Sequence, residues 1–147
     1  MRRKPHLIPA LVIGTALALA PLAPALADHN FETPSGNISC EYNTYSDADD
    51  NAVEGMGCIV FEINLGTAAE GVCDPGGDRV VGFLVARVGR AAYGCFDPAE
   101  FEEAVVLPYG RTFRRGGVSC TAAKAGLTCK NASRHGFKIA RGAQSIF

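Results

Sequence analysis

The sequence predicts a mainly β fold: a small, disulfide-bridged barrel or sandwich of short antiparallel strands, with one short helix near residues 98–104. Short apolar runs are separated by clusters of Gly, Pro, Asn and Asp, which is typical of all-β domains. The 147-residue chain has six cysteines, and an even number in a small exported protein indicates a disulfide framework. The stretch from Gly117 to Asn131 has the spacing of a cross-linked β-hairpin.

The hairpin follows from the positions of Cys120 and Cys129. If these two cysteines face each other, Ala123 lies opposite Gly126 across a two-residue turn, Lys124–Ala125. Counting outward from that turn places the cysteines at a non-hydrogen-bonded pair, where the Cα atoms are about 4.5 Å apart, within disulfide range. Lys-Ala is a poor sequence for so tight a turn, so a longer loop with Gly126 at positive φ is the alternative.

Residues 1–27 are predicted to be a secretory signal that is cleaved. A basic segment, Arg2–Lys4, precedes an apolar stretch from Leu7 to Ala20 and a small-residue cleavage site, Ala25–Ala27. A proline interrupts the apolar stretch, and the remainder is too short to cross about 30 Å of hydrocarbon. We therefore expect a single disulfide-bridged domain, 28–147, that is secreted or periplasmic and has no membrane span after cleavage.

All six cysteines lie in this predicted mature chain, and six cysteines allow 15 pairings. Pairing between neighbours along the chain is favoured, because each bridge then closes a short loop within one β-unit. The favoured pairs are Cys40–Cys58, Cys73–Cys95 and Cys120–Cys129. Structural zinc sites use closely spaced C-x₂₋₄-C pairs, whereas the nearest cysteines here are nine positions apart. We predict no metal and no cofactor.

Other elements are read from apolar runs and turn residues. Strands are predicted over Asn37–Asn43 and Cys58–Leu65, joined by a polar, acidic loop, Thr44–Asn51. A β-branched run, Arg79–Val88, suits a buried strand. A further strand is expected around 136–141.

The short helix is predicted from its first residues. Asp97 can cap the helix, Pro98 suits the first helical position, and Glu100 follows in the first turn. A second proline, Pro108, ends the segment in which a helix can form.

Four motifs resemble a family of small secreted bacterial proteins that has no assigned function. The motifs are Phe31-Glu32-Thr33-Pro34-Ser35-Gly36-Asn37-Ile38-Ser39-Cys40, Leu107-Pro108-Tyr109-Gly110, Gly126-Leu127-Thr128-Cys129-Lys130-Asn131 and His135-Gly136-Phe137. The resemblance extends over nearly all of the predicted mature chain and keeps the order of the motifs. The resemblance implies an exported, cysteine-bridged domain, and it supplies no catalytic residue.

No catalytic residue is predicted from the residues themselves. A hydrolase would require His135 with a serine such as Ser119 or Ser133 and an acid such as Asp97, but no Gly-x-Ser-x-Gly motif is present. We interpret His135 as a turn residue. The acidic clusters are interpreted as solvated charge, and the chain contains no tryptophan for stacking against sugars.

Charge is distributed unevenly along the chain. Residues 28–103 carry 15 acidic and 3 basic side chains, whereas 104–147 carry eight basic and no acidic ones. This asymmetry suggests an anionic partner. The residues expected to form an anion-binding surface are Arg111, Arg114, Arg115, Lys130 and Arg134. The simpler expectation is that the two halves interleave in one sheet and neutralise each other.

These observations favour a non-catalytic extracytoplasmic binding or envelope-associated module. Its partner would be an anionic envelope component or a secreted protein, and the net negative charge of the mature chain argues against nucleic acid. An inhibitor of a secreted hydrolase, such as a protease or lysozyme, is the alternative, since bridged β-domains present rigid loops. A small hydrolase is the third reading.

Overall fold

The computed structural model describes residues 29–46, 50–62, 69–101 and 104–147. In these residues eleven strands form two sheets, here called sheet A and sheet B. Sheet A contains β1 (Asn30–Glu32), β2 (Ile38–Ser46), β3 (Ala52–Val60), β4 (Val80–Ala86), β5 (Ala92–Phe96) and β6 (Val105–Val106). Sheet B contains β7 (Thr112–Arg115), β8 (Val118–Ala123), β9 (Gly126–Asn131), β10 (Gly136–Ala140) and β11 (Ala143–Ile146).

The strand order is β5-β4-β3-β2-β1-β6 in sheet A and β11-β10-β9-β8-β7 in sheet B. Neighbouring strands are antiparallel except for β1 and β6, which are parallel. Neither sheet closes on itself, so the predicted β fold is confirmed as a sandwich rather than a barrel. No helix in the described part of the chain is long and apolar enough to cross a membrane.

The main core lies between the two sheets. Phenylalanine rings join them: the centroids of Phe31 and Phe113 are 4.9 Å apart, and those of Phe83 and Phe137 are 5.3 Å apart. In each pair one ring comes from sheet A and the other from sheet B. Because side chains alternate along a strand, the residues directly before and after each of these rings point away from the core.

Two of the disulfides lie in this core. Cys40–Cys58 joins β2 to β3 with Cα atoms 4.1 Å apart, and Cys120–Cys129 joins β8 to β9 at 4.0 Å. All four cysteines are fully buried. Cys73–Cys95 attaches the segment before β4 to strand β5, with Cα atoms 5.3 Å apart. These are the same three pairs that the sequence favours.

The hairpin has the predicted register. Cys120 faces Cys129 and Ala123 faces Gly126, which leaves Lys124–Ala125 as a two-residue turn. Gly126 adopts a φ of +132°, so the tight turn and the positive φ occur together. The strand expected around 136–141 is β10, which pairs with β9 and places Phe137 beside Cys129.

A second, smaller core covers the outer face of sheet A. The Phe96 ring lies over Gly57, Gly82 and Gly94, one glycine from each of three adjacent strands. A Cβ at Gly57 would lie 2.7 Å from the ring, and one at Gly94 would lie 2.7 Å from it as well. Phe101 meets Phe96 edge-on, with ring centroids 5.7 Å apart. These glycines therefore let an aromatic ring pack flat on the sheet.

Two strand boundaries differ from the predictions. The loop predicted over Thr44–Asn51 is shorter, since β2 continues to Ser46 and β3 begins at Ala52. Residues 47–49 lie outside the described residues. The strand predicted over Cys58–Leu65 is instead the end of β3, because the chain leaves the sheet after Val60 and Phe61 is 61% exposed. Positions 63–65 of that prediction also lie outside the described residues.

The predicted helix is a single 3₁₀ turn, Pro98–Phe101. Its first turn is capped as expected, because the backbone N–H of Ala99 donates to Asp97 Oδ1 at 3.0 Å. Phe101 is buried against Phe96, which ties the turn to the outer core. Residues 102–103 lie outside the described residues.

Candidate anion-binding surface

The acidic and basic parts of the chain belong to different sheets. Sheet B begins at Thr112, and the last acidic residue of the sequence is Glu103. Sheet B therefore contains no acidic residue at all. The expectation that the two halves interleave in one sheet is wrong: apart from the two-residue β6, which pairs with β1, the strands after Glu103 pair only with one another.

The outward face of sheet B carries two rows of polar side chains that run across the strands. The hydroxyl row consists of Thr112, Thr121, Thr128, Lys138 and Ser145 at successive strands. The cation row consists of Arg114, Ser119 and Lys130. Both alternate with inward residues such as Phe113 and Phe137, which are buried in the core. The two rows together are called the basic face below.

The cations on this face are separated by regular steps. Arg114 and Lys130 are two strands apart, about 10 Å between Cα atoms at ordinary strand spacing. Lys138 lies one strand beyond Lys130 and two residues along it, about 8 Å away by the same geometry. All three side chains are exposed. The face thus presents spaced cations among hydroxyls on one side of the sheet.

Hydroxyl groups in both rows of the basic face make contacts within the sheet. Thr112 Oγ1 and Thr121 Oγ1 are 2.8 Å apart, so one hydroxyl donates to the other across the β7–β8 pair. Ser119 Oγ donates to the Lys130 carbonyl at 3.5 Å, a long bond. Each hydroxyl can form more than one hydrogen bond, so these groups can also bind the oxygens of a ligand.

The structure separates the five basic residues predicted for this surface. Arg114 and Lys130 lie on the basic face, and Arg134 lies in the turn after β9, with φ +65°. Arg111 precedes β7 and lies at the end of the sheet opposite to Arg134. Phe113 points inward and is 4% exposed.

Arg115 is directed away from the basic face, because it has the same strand parity as the buried Phe113. Its guanidinium carbon lies 5.7 Å from the ring centroid of Tyr42, a cation–π arrangement. One of its guanidinium nitrogens lies 2.7 Å from His29 Nε2. Both contacts are with residues of the sheet A half, so Arg115 helps to close this end of the sandwich.

Sequence reasoning missed Lys138, the third cation of the face. The alternation in Phe137-Lys138-Ile139 is the signal that could have found it, because two apolar neighbours point into the core and the lysine must point outward. At the Arg114 end, the basic face continues into an open cavity of about 500 Å³. Gly116 and Gly117 form part of its wall.

A second cavity, of about 270 Å³, opens at the other end of the sandwich, between the two sheets. It is called the terminal pocket below. Its polar lining residues are Thr33, Ser35, Asn37, Tyr109, Lys124 and Arg141. Thus the Thr-Pro-Ser-Gly-Asn and Leu-Pro-Tyr-Gly motifs, distant in sequence, meet at one cavity. Arg141 forms an ion pair with Glu62, with 3.1 Å between Nη2 and Oε2.

Three of the four residues considered for hydrolytic chemistry, His135, Ser119 and Asp97, are engaged in local structure. The backbone N–H of His135 donates to Asn131 Oδ1 at 3.1 Å. Ser119 lies on the basic face, and Asp97 caps the 3₁₀ turn. Within the described ranges, no hydrogen bond joins the His135 ring to a hydroxyl or carboxylate, and no group of three His, Cys, Asp or Glu side chains could hold a metal ion.

Electrostatic strain is found on the outer face of sheet A. Burial raises the pKa of Glu41 above its ordinary value, and the nearby Glu100 carboxylate raises it further. Asn43 Nδ2 donates to Glu41 Oε1 at 3.1 Å, which acts in the opposite direction. Burial also raises the pKa of Tyr45, whose hydroxyl donates to the Glu41 carbonyl at 2.9 Å.

The fold and these surfaces define a disulfide-bridged β-sandwich domain with one basic face. A model of the Family of unknown function (DUF6636) matches residues 11–147, and the chain belongs to that family. The resemblance to an uncharacterised family is confirmed at this level. Comparisons with curated proteins and with solved structures gave no significant match.

Proposed function

We propose that this protein is a non-catalytic extracytoplasmic binding module whose basic face binds an anionic polymer of the cell envelope. The observation that carries the proposal is the absence of any acidic residue from sheet B, combined with exposed cations at Arg114, Lys130 and Lys138. A face of one sign of charge attracts a polyanion over a distance comparable with the Debye length, about 8 Å at physiological ionic strength.

The shape of the surface supports a polymer rather than a compact ligand. A β-sheet face is open along its length, and the cations on it are spaced by about 8–10 Å. Arginine can bind phosphate or carboxylate with two parallel hydrogen bonds, while lysine acts as a point charge. Neighbouring threonine hydroxyls can donate to or accept from the hydroxyls of a sugar chain.

Export is part of this proposal. Residues 1–27 have the order of a secretory signal, and disulfides persist in oxidising compartments. Three disulfides in the described domain are compatible with that location. Intact-mass measurement of protein from the extracytoplasmic fraction tests it. We expect a chain that begins at Asp28 and has no alkylatable thiol without reduction.

The binding test is retention of the purified protein on immobilised lipopolysaccharide and on heparin, eluted with a salt gradient. We expect the wild type to bind at low salt, and a Lys130→Ser/Lys138→Ser variant to elute at clearly lower salt. The matched control is Arg79→Ser/Arg90→Ser, which removes two positive charges from the sheet A half. Equal elution of the two double variants, or no retention of the wild type at low salt, contradicts the proposal.

A further inference from the structure

We propose that the terminal pocket is a second binding site, which holds the carboxylate or phosphate group of a single sugar unit. This inference deepens the proposed function and rests on it for the nature of the polymer. The basic face would hold the polymer along its length, whereas the terminal pocket would recognise one anionic unit at its end or on a branch.

The pocket is built by both sheets, so its shape depends on the complete sandwich. From the sheet A half it takes the turn between β1 and β2, including Ser35 and Asn37; from sheet B it takes Lys124 and Arg141. The turn is closed by a hydrogen bond from the Gly36 N–H to the Thr33 carbonyl at 2.8 Å. Folding therefore brings hydroxyl and amide groups of one motif opposite two cations.

Lys124 is the cation available to a ligand. It lies in the two-residue turn of the β8–β9 hairpin and is exposed, and it forms no ion pair with any residue the structure describes. The register fixed by Cys120–Cys129 holds this turn at the rim of the pocket. An oxyanion in the pocket would gain a charge-assisted hydrogen bond from its ammonium group.

Arg141 already holds an oxyanion, the carboxylate of Glu62, at 3.1 Å. The position of Glu62 is set by Asn37, since the Glu62 N–H donates to Asn37 Oδ1 at 2.8 Å. The two ion-paired side chains are 76% and 71% exposed, and such surface pairs are weak because water screens them. Glu62 thus occupies Arg141 weakly, and a carboxylate or phosphate can compete with it.

The aromatic side chain of Tyr109 lines the pocket. The residue is 40% exposed, so its side chain is accessible to a ligand. The loop is held by two backbone bonds: the Gly110 N–H donates to the Ala122 carbonyl at 2.7 Å, and the Arg111 N–H donates to the Pro108 carbonyl at 3.0 Å. A fixed, exposed ring with a polar tip suits contact with a sugar ring.

The size of the pocket sets the size of the ligand. Its volume of about 270 Å³ is below the 300–1,000 Å³ range of typical small-molecule sites. A single charged sugar unit is therefore the appropriate ligand, and binding of one unit alone should be weak. We expect dissociation constants in the millimolar range, which corresponds to about −4 kcal/mol.

The experiment is an NMR titration of the ¹⁵N-labelled mature protein in a phosphate-free buffer. The probes are glucose 6-phosphate and glucuronate, and glucose is the uncharged control. Saturable shifts are expected at the amides of the pocket, in the ranges 33–37, 109–110, 124–126 and 140–141. The two charged probes distinguish a phosphate site from a carboxylate site. Shifts with neither probe, or equal shifts with glucose, overturn the proposal.

Variants give the test its direction. Glu62→Gln removes the internal competitor, so it should tighten binding about two- to fivefold, the value of an exposed ion pair. Lys124→Ala should weaken it about three- to tenfold. If Glu62→Gln binds the charged sugars with the same affinity as wild type or a lower one, the proposed site is wrong.

Lys138→Ser separates the two proposals. It should lower retention on the polymer while leaving the glucose 6-phosphate and glucuronate titrations unchanged. If neither the wild type nor the variant is retained on the polymer, but the sugar titrations still show binding, the proposed function is wrong and the proposed pocket site is not. Normal retention without sugar binding would defeat the pocket alone.

Discussion

Asn131 Nδ2 donates to the Gly89 carbonyl at 2.7 Å and so joins sheet B to the loop between β4 and β5 of sheet A. The same amide donates to the Ala86 carbonyl at 3.0 Å, while Asn131 Oδ1 accepts from the His135 N–H at 3.1 Å. Asn131 is only 5% exposed. One side chain therefore fixes the contact between the sheets and the turn after β9.

Replacing Asn131 by Ala should destabilise the protein by about 2–3 kcal/mol, because two carbonyls and one N–H lose their partner. Asn131→Asp should be worse at neutral pH, since a carboxylate would face the two carbonyl oxygens, and should recover partly in acid, where the carboxyl group can donate. Urea unfolding measures both. Ser133→Ala, in the same turn but exposed, is the control and should stay within about 0.5 kcal/mol of wild type. A similar loss in Ser133→Ala would contradict the role of Asn131.

The disulfides should differ in their contributions in a way that loop length does not predict. Removing Cys73–Cys95 as a double Ser variant should cost about 3 kcal/mol, mainly through the entropy of the unfolded chain. Cys120–Cys129 closes a shorter loop, whose entropy contributes about 2.5 kcal/mol. Replacing both cysteines by Ala also leaves a cavity in the core, so the total loss should be about 4 kcal/mol. Urea midpoints give the ranking. An order that follows loop length alone would show that core packing around Cys120–Cys129 adds little.

The glycines beneath Phe96 should resist substitution. Gly82→Ala places a Cβ against the Cys58 carbonyl and 2.9 Å from the Phe96 ring, so a loss of more than about 2 kcal/mol is expected. Gly94→Ala meets only the ring, and Phe96→Leu in the same molecule should restore part of its loss. At Gly142 an added Cβ has no atom of the described residues within 4 Å, so Gly142→Ala is the control. No rescue in the Gly94→Ala/Phe96→Leu double variant would mean that the ring is not what excludes the Cβ.

The sequence predicts elements well where a local constraint sets their geometry. The sequence predicts the hairpin of β8 and β9 with its register, because a disulfide between Cys120 and Cys129 requires the two residues to face each other. Strand β5 was missed because Gly94 lowers β-propensity at its centre. The reason for that glycine, the Phe96 ring packed over it, depends on contacts with Gly57 and Gly82 that no local pattern records. Strands as short as β6 contain too few residues for an alternation to be visible.

The candidate site was predictable in its charge but not in its arrangement. The acid-free segment after Glu103 is evident in the sequence. It forms its own sheet because each of its strands pairs with the next one along the chain, a choice of partner that the charge pattern does not record, so the interleaved expectation is wrong. Strand parity then separates adjacent arginines, since Arg114 points outward whereas Arg115 packs on Tyr42. Lys124 and Arg141 line the same pocket only because their two turns lie at the same end of the sandwich.

The raised pKa of Glu41 predicts a pH dependence of stability with a definite sign. Glu41 Oε2 is buried and has no hydrogen-bond partner among the described residues, and Glu100 adds repulsion, so the folded state favours the protonated carboxyl group. A group whose folded pKa is raised stabilises the protein below its unfolded pKa, and that contribution is lost as the pH rises through the folded value. Ionised Glu41 thus destabilises the fold at neutral pH.

Glu41→Gln should remove this dependence. Urea unfolding at pH 4, 5, 6 and 7 should give similar stabilities for variant and wild type at pH 4, and an increasing advantage for the variant toward pH 7. Glu100→Gln should give part of the same gain, because it removes the repulsion but not the burial. Glu54→Gln, an exposed carboxylate on β3, is the control and should follow the wild-type profile. Parallel profiles for wild type and Glu41→Gln across this range would show that Glu41 ionises equally well in the folded and unfolded chain.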